Sequence, residues 1–325
     1  MHLDIHDHLV DHVRNKALVK DNLLYVIGVV SNPERYHSRY RLFRKWMGAM
    51  ENTPNVKLVI LECAYGDRHH EVTDPMNPFH LRLRSHQHLW LKENLINLAV
   101  RALPQDWKYV AWVDTDVFWE DPNWAQEALH QLQTYDLIQP WRDCLDLGPH
   151  GEVMQHFQSF SFLHQRGVRM QTSPTQPYKY GHSGYAWACT RTFWENVKGL
   201  MEFNVVGSGD HHQAWASIGK VDHSVHGKMS DGFKKLAREW QRDAFRVTHG
   251  HLGFVNTTIS HAFHGSKQAR GYRSRWQIFI DHKFDPEKDL RKDSQGVVQL
   301  VGKPQLEEDI RSYFRSRNED SIDME

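Results

Sequence analysis

The sequence predicts an α/β fold, a sheet with helices packed on both faces, and three observations predict it. Residues 23–30 form an unbroken apolar run that stops at Ser31-Asn32-Pro33, the pattern of a central strand buried on both sides. Two more apolar runs follow, residues 56–64 and the stretch from Trp107 that ends in Asp114-Thr115-Asp116. Between them lie segments with apolar residues at helical spacing, first Tyr36, Tyr40, Phe43 and Met47, then Leu91, Leu95 and Leu98. Strands alternating with helices build a parallel sheet. With 325 residues the chain can bury a large core, and its length admits one large domain or two modest ones.

Composition narrows the function classes. Forty basic and forty acidic residues cancel, so no overall field holds nucleic acid. The three cysteines, Cys63, Cys144 and Cys189, are too few and too scattered for a disulfide framework or a cysteine zinc site, and they read as reduced core thiols. Residues 1–8 carry charges where a signal peptide needs an apolar core, and no stretch is apolar for long enough to span a bilayer. A cytoplasmic protein is expected. Twenty-four histidines invite metal or proton chemistry, but their placement decides more than their number.

Candidate site residues fall at element ends. In an extended chain residues two apart share a face, so Asp114 and Asp116 could reach one hard divalent cation; the bland alternative is a solvated strand end. The loop after a first strand is where doubly wound sheets receive nucleotides, which makes Asn32, Arg35 and Arg39 candidates for base, ribose or phosphate contacts. Lys92, on the second helix, is a candidate phosphate ligand. Residues 123–133 read as a helix and 137–140 as a short strand. From 148 to 179 glycine, proline, glutamine and aromatics replace periodicity, which predicts a long irregular connection holding part of a binding pocket. The aromatics Trp141, Phe157, Phe160, Phe162, Tyr178, Tyr185 and Trp187 are candidates for ring stacking or for core.

Residues 181–190 form a small-residue strand suited to close backbone approach, followed by a helix over 191–198. Gly207-Ser208-Gly209-Asp210 then opens another helix, with Asp210 where an N-cap belongs, or where a general base could stand. A polar helix spans 230–246. The β-rich stretch 253–267 delivers His261 and His264 close to Gly265 and Lys267, neutral imidazoles for a transition metal and an ammonium for phosphate. A basic amphipathic helix over 270–280 carries Arg270 and Arg275, and from Asp285 the chain reads as a charged tail with a short helix at 305–314 and a frayed end.

Taken in order, these parts resemble the GT-A glycosyltransferases, metal-dependent enzymes that use nucleotide-diphosphate sugar donors, over roughly residues 23–280. The resemblance implies a Rossmann-like mixed central sheet flanked by helices over 1–284, a donor half at about 20–140, an acceptor half at about 141–284, and a polar helical tail over 285–325. It further implies that Asp114 and Asp116 bind Mn2+ or Mg2+ beneath the donor diphosphate, with Asp116 the direct ligand, and that His264 or His261 completes the shell. Asp210 matches the carboxylate base of inverting members. Retaining members resembling glycogenin carry His-x-x-Gly-x-x-Lys-Pro-Trp; here Gly265 is displaced by one and no Pro-Trp follows Lys267, which favours inversion. The expected donor is a UDP-sugar, contacted by Asn32, Arg35, Arg39, Lys92, Lys267, Arg270 and Arg275. The acceptor is a glycan, a small molecule or, given the basic groups between Arg270 and Lys283, a modified nucleic acid. Two other readings compete: a nucleotidyltransferase acting on a sugar phosphate, and a non-catalytic sugar-nucleotide or glycan-binding module.

Overall fold

In the computed structural model of the chain, which describes residues 23–171, 179–267, 269–271 and 274–322, the first apolar run becomes β1 (Leu24–Ser31). The terminal segment 1–8 and the residues Tyr178, Tyr272 and Arg273 lie outside the described residues. Helix α1 (His37–Glu51) follows, then β2 (Val56–Tyr65), β3 (His80–Ser85), α2 (Lys92–Arg101), β4 (Tyr109–Val113), β5 (Val117–Trp119) and α3 (Trp124–Gln131). Next come β6 (Leu137–Gln139), β7 (Asp143–Leu147), β8 (Val153–Gln158), α4 (Phe160–Gln165), β9 (Ala186–Thr190), α5 (Arg191–Val197), α6 (Gly209–Ser217) and α7 (Asp231–Thr248). The chain closes with β10 (Gly253–Phe254), β11 (Thr258–His261), α8 (Arg275–Asp281), a hairpin of Leu290–Lys292 with Val298–Leu300, and α9 (Pro304–Ser316).

The main sheet has seven strands in the order β10-β6-β9-β4-β1-β2-β3. Strands β1, β2, β3 and β4 run parallel to their neighbours among them, and β9 is antiparallel to both β4 and β6, so the sheet is mixed. Successive side chains of β1 feed different cores: Leu24 and Val26 pack with Phe43 and Trp46 of α1, Tyr25 and Ile27 with Leu95 and Ile96 of α2. Both faces are therefore covered, which is why the run reads as continuously apolar rather than alternating. Within this sandwich Gly28 has no room for a side chain, since a Cβ there would lie 2.5 Å from Trp46 Cη2. Gly28→Ala is expected to cost about 1–3 kcal/mol, as overpacked cores do, read as a lower denaturant midpoint at unchanged slope.

A second sheet, β5-β11-β7-β8, stands beside the first. Here the structure departs from the sequence reading. The expected irregular connection over 148–179 contains β8 and α4. Strand β8 is an edge strand whose residues are mostly exposed, so its sequence carries no buried alternation. Helix α4 is six residues long, too short to show a period, and is held by Ser159 accepting from the Phe162 amide at 3.2 Å. The β-rich stretch 253–267 is two short strands in different sheets, and the basic helix begins only at Arg275.

The expected frayed tail is also corrected. Leu306, Ile310, Tyr313 and Phe314 of α9 are buried in the core on the α2 side of the main sheet, and Arg317 and Glu319 beyond it are 5% and 1% exposed. Asp320 accepts from the amides of His37 and Ser38 at 2.9 and 2.7 Å, so the segment just past α9 caps the first helix. The three cysteines are buried and unpaired, as expected. Among the described residues, no helix is long and apolar enough to cross a membrane.

Candidate active site

The site begins where β4 stops. The Asp114 amide donates to Tyr185 O at 2.7 Å and the Val117 amide to Asp114 O at 3.2 Å, so residues 114–117 form a turn and not an extended strand end. The two aspartates thus sit on a turn, not two apart along an extended strand, and both open on the same cavity. Past the turn, β5 pairs antiparallel with β11, setting Val117 opposite His261, and the Ala262 amide donates to Asp116 O at 2.9 Å. This register brings Asp116 against both histidines: its Oδ2 lies 2.9 Å from His264 Nε2 and its Oδ1 3.8 Å from His261 Nε2. One ligand atom from each of Asp116, His261 and His264 lies within 4.8 Å of the others, a spacing at which one divalent ion can touch all three.

The electrostatics suit a cation. Burial would raise the Asp116 carboxyl, but His261 and His264 outweigh it and hold it well below the usual carboxylate range. Among the described residues Asp116 Oδ1 is buried without a hydrogen-bond partner, an orphaned anionic atom facing the cluster. Behind His261, Asp146 of β7 accepts from Nδ1 at 2.7 Å, which orients the ring with Nε2 toward Asp116. Asp146 itself sits at about 2: burial opposes the shift, and the bonds from His261 and Lys267 win.

Asp114 takes a different partner. Its carboxylate pairs with Lys92 at the start of α2. Burial raises the Asp114 carboxyl, with Lys92 opposing, whereas Lys92 is raised despite its burial because Asp114, Asp210 and Glu93 surround it with negative charge. Asp210 lies in the first turn of α6, after Ser208 in left-handed backbone (φ 78°), and is not the N-cap the sequence suggested. Its carboxylate is therefore not spent on backbone amides, and it makes no hydrogen bond among the described residues. Gly184 admits it closely: a Cβ there would stand 2.8 Å from Asp210 Oδ2. The neighbouring His211 is pushed down to about 4 by burial, against the opposing pull of Asp210, and is neutral near pH 7.

Asp114, Asp116, Asp210, His261, His264 and Lys92 all open onto one cavity of about 820 Å³, in the range of small-molecule sites. Arg39, Lys267, Arg270, Arg275 and Arg317 line it as well, and its Asp210 flank is walled by Phe160, Trp215, His223 and Trp276. Two sequence candidates are not brought in. Asn32 is buried and closes its own loop, accepting from the Tyr36 amide at 3.0 Å and donating to Tyr36 O at 2.8 Å, and Arg35 is exposed; neither lines the cavity. Arg39 lines it with its guanidinium paired to Glu319, and Lys267 bonds Asp146 at 2.6 Å and Gln155 at 2.7 Å. Arg275 donates to Ser208 Oγ at 2.5 Å. Of the aromatics, Trp141 and Trp187 are core, while Phe160 and Tyr185 reach the cavity.

Sequence reading missed Glu93, Asp146, Arg317 and Glu319. Glu93 is 5% exposed and lines the cavity, and burial pushes its carboxyl up to about 7 against the opposing charge of Lys92. A raised carboxyl binds its proton more tightly in the folded chain than in the unfolded one. Its stabilising contribution is thus full below the usual value of 4.5 and is lost as pH rises through about 7. Glu93→Gln has no such proton to lose, so its unfolding temperature should gain on wild type from about pH 5 to about pH 8 in matched thermal melts.

No protein-family model and no curated protein matches the sequence. Among solved structures, the chain is similar to the catalytic domain of Drosophila beta1,4-galactosyltransferase 7 in complex with xylobiose, at 12% identity over 88% of this chain and 97% of that one, TM-score 0.37. A variant of that enzyme in complex with manganese, UDP-Gal and xylobiose matches at 11% identity over 87% and 97%, TM-score 0.40. A protein described as a nucleotide-diphospho-sugar transferase from Desulfovibrio desulfuricans matches at 11% identity over 92% and 99%, TM-score 0.32. At that distance the functional reading rests on the cavity's own residues.

Proposed function

We propose that the chain is a GT-A glycosyltransferase that moves a sugar from a nucleoside-diphosphate donor to an acceptor hydroxyl, with inversion at the anomeric carbon. The observation that carries the reading is a single cavity holding both the Asp116, His261 and His264 cluster and the carboxylate of Asp210. The cluster fits a divalent cation: its donors converge, and one of them is an orphaned buried oxygen. Two imidazoles and one carboxylate suit Mn2+ better than Mg2+, which prefers oxygen ligands and keeps its waters. When bound, such a cation supplies positive charge where the leaving diphosphate becomes more negative.

The chain's own residues do the rest. Arg270 and Arg275, 7% and 8% exposed, line the cavity and add fixed positive charge, Arg270 beside the cluster at His264 and Arg275 beside Ser208 and His211. Asp210 takes the proton from the acceptor hydroxyl as its oxygen attacks the anomeric carbon, and the bond to the diphosphate breaks on the opposite face. Asp114, held by Lys92, faces the donor and stands outside the cation's shell. The aromatic and imidazole flank formed by Phe160, Trp215, His223 and Trp276 suits a glycan or another hydroxylated ring. Because Arg270 and Arg275 point inward, they do not form the exposed basic surface that a nucleic-acid backbone needs.

The test is donor consumption. The protein with Mn2+ is offered uridine-, guanosine- and thymidine-diphosphate sugars, UDP-sugars first, and release of nucleoside diphosphate is the expected result. Pyrophosphate release from a nucleoside triphosphate and a sugar phosphate would instead mark a nucleotidyltransferase. Tight donor binding without turnover across varied acceptors would mark a binding module.

A further inference from the structure

The last described turn of the chain reaches the back of the cation cluster. Tyr36 Oη donates to Phe314 O at 2.8 Å, Ser38 Oγ donates to Glu319 O at 3.0 Å, and Asp320 caps α1, so residues 314–320 lie strapped across the start of that helix. On its other side the strap touches the loop of His264. Gly265 has φ 82°, and a Cβ there would lie 2.9 Å from Glu319 Cα and 3.0 Å from Asn318 O. Only glycine lets the two backbones meet so closely.

His264 is 8% exposed, and its Nδ1 has no hydrogen-bond partner among the described residues. That atom faces Glu319 Oε2 at 3.6 Å. The Glu319 carboxylate is fully buried and neutralised by two guanidinium groups, Arg39 from α1 and Arg317, whose Nε lies 2.7 Å from Oε1. The ring of His264 thus has a carboxylate on each side. If its hydrogen sits on Nε2 it goes to Asp116 Oδ2, 2.9 Å away, and the lone pair a cation would need is turned backward. If the hydrogen sits on Nδ1 it faces Glu319, and Nε2 keeps the lone pair a cation would take, which in this structure accepts from Arg270 Nη2 at 3.1 Å.

We infer that Glu319 is a positioning residue: its carboxylate holds the His264 hydrogen on Nδ1, presents Nε2 to the cluster, and so sets the affinity of the cluster for its cation. The inference rests on the cation site proposed above. It also gives a reason for burying a carboxylate between two arginines, since the strap ties the helix that carries Arg39 to the loop that carries His264.

The experiment measures Mn2+ binding to the full-length protein, without donor, from the electron paramagnetic resonance signal of the free ion. Glu319→Ala should weaken binding about 10–100-fold, the usual effect of removing the partner behind a ligating histidine. Glu319→Asp keeps the charge between the arginines, withdraws the oxygens by one methylene, and should weaken binding less but clearly; it serves if the alanine variant does not fold. Asp320→Ala loosens the same strap without touching His264, so it should lower the unfolding temperature and leave Mn2+ affinity at the wild-type value. Wild-type affinity in both Glu319 variants overturns the inference, as does an equal loss in Asp320→Ala. Asp116→Ala separates the two levels: if it too binds Mn2+ normally, the cation site itself is wrong, whereas a loss there alone refutes only the role of Glu319.

Discussion

Asp210→Asn is expected to lower kcat for sugar transfer by about 10²–10⁴-fold, the usual contribution of a positioned general base, while Mn2+ affinity and donor KM stay near wild type. The substitution is nearly isosteric, so the close approach to Gly184 and the first turn of α6 should survive it. What it removes is the carboxylate's charge and its capacity to take a proton. Asp210 makes no helix cap, yet it opens on the cavity beside the aromatic flank. Initial rates at saturating donor and acceptor decide the matter, with proton NMR of the product giving the anomeric configuration. A kcat within about threefold of wild type would exclude Asp210 as the base.

The sheet was legible because both of its faces are buried. Continuous apolar runs mark β1, β2 and β4, and α1 and α2 follow from apolar stripes that pack on those strands. Asp116, Asp210, His261 and His264 were legible as chemical types at element ends. What the sequence could not show was direction. The backbone turns at Asp114, so two aspartates that look like one motif serve different partners, and the fact that sends Asp116 to the histidines is the pairing of Val117 with His261, 144 positions later in the chain. Edge strand β8 and the six-residue α4 carry too little buried surface to leave a periodic signal. Glu319 illustrates a different limit: a polar residue near a charged terminus reads as solvated, and only the tertiary meeting of Arg39, Arg317 and His264 makes its burial tolerable.

That division between the two aspartates yields the second large effect. Asp116→Ala should abolish Mn2+ binding and cut donor turnover by at least about 10³-fold, because it removes the cluster's one carboxylate and leaves two imidazoles beside the guanidinium of Arg270. The fold should persist, since the pairing of β5 with β11 and the bond from the Ala262 amide use the backbone of residue 116 and not its side chain. Asp114→Asn should behave differently. Its carboxylate is engaged by Lys92 and is not one of the three converging ligands, so Mn2+ affinity should change by less than about threefold while donor KM rises. Were the two residues a single extended motif, both substitutions would release the metal alike, so titrating Mn2+ into the two variants side by side separates a shared grip from a turn that splits the pair between metal and donor. Chelation of wild type should reproduce the Asp116→Ala phenotype and added Mn2+ should reverse it, which ties the loss to the ion and not to misfolding.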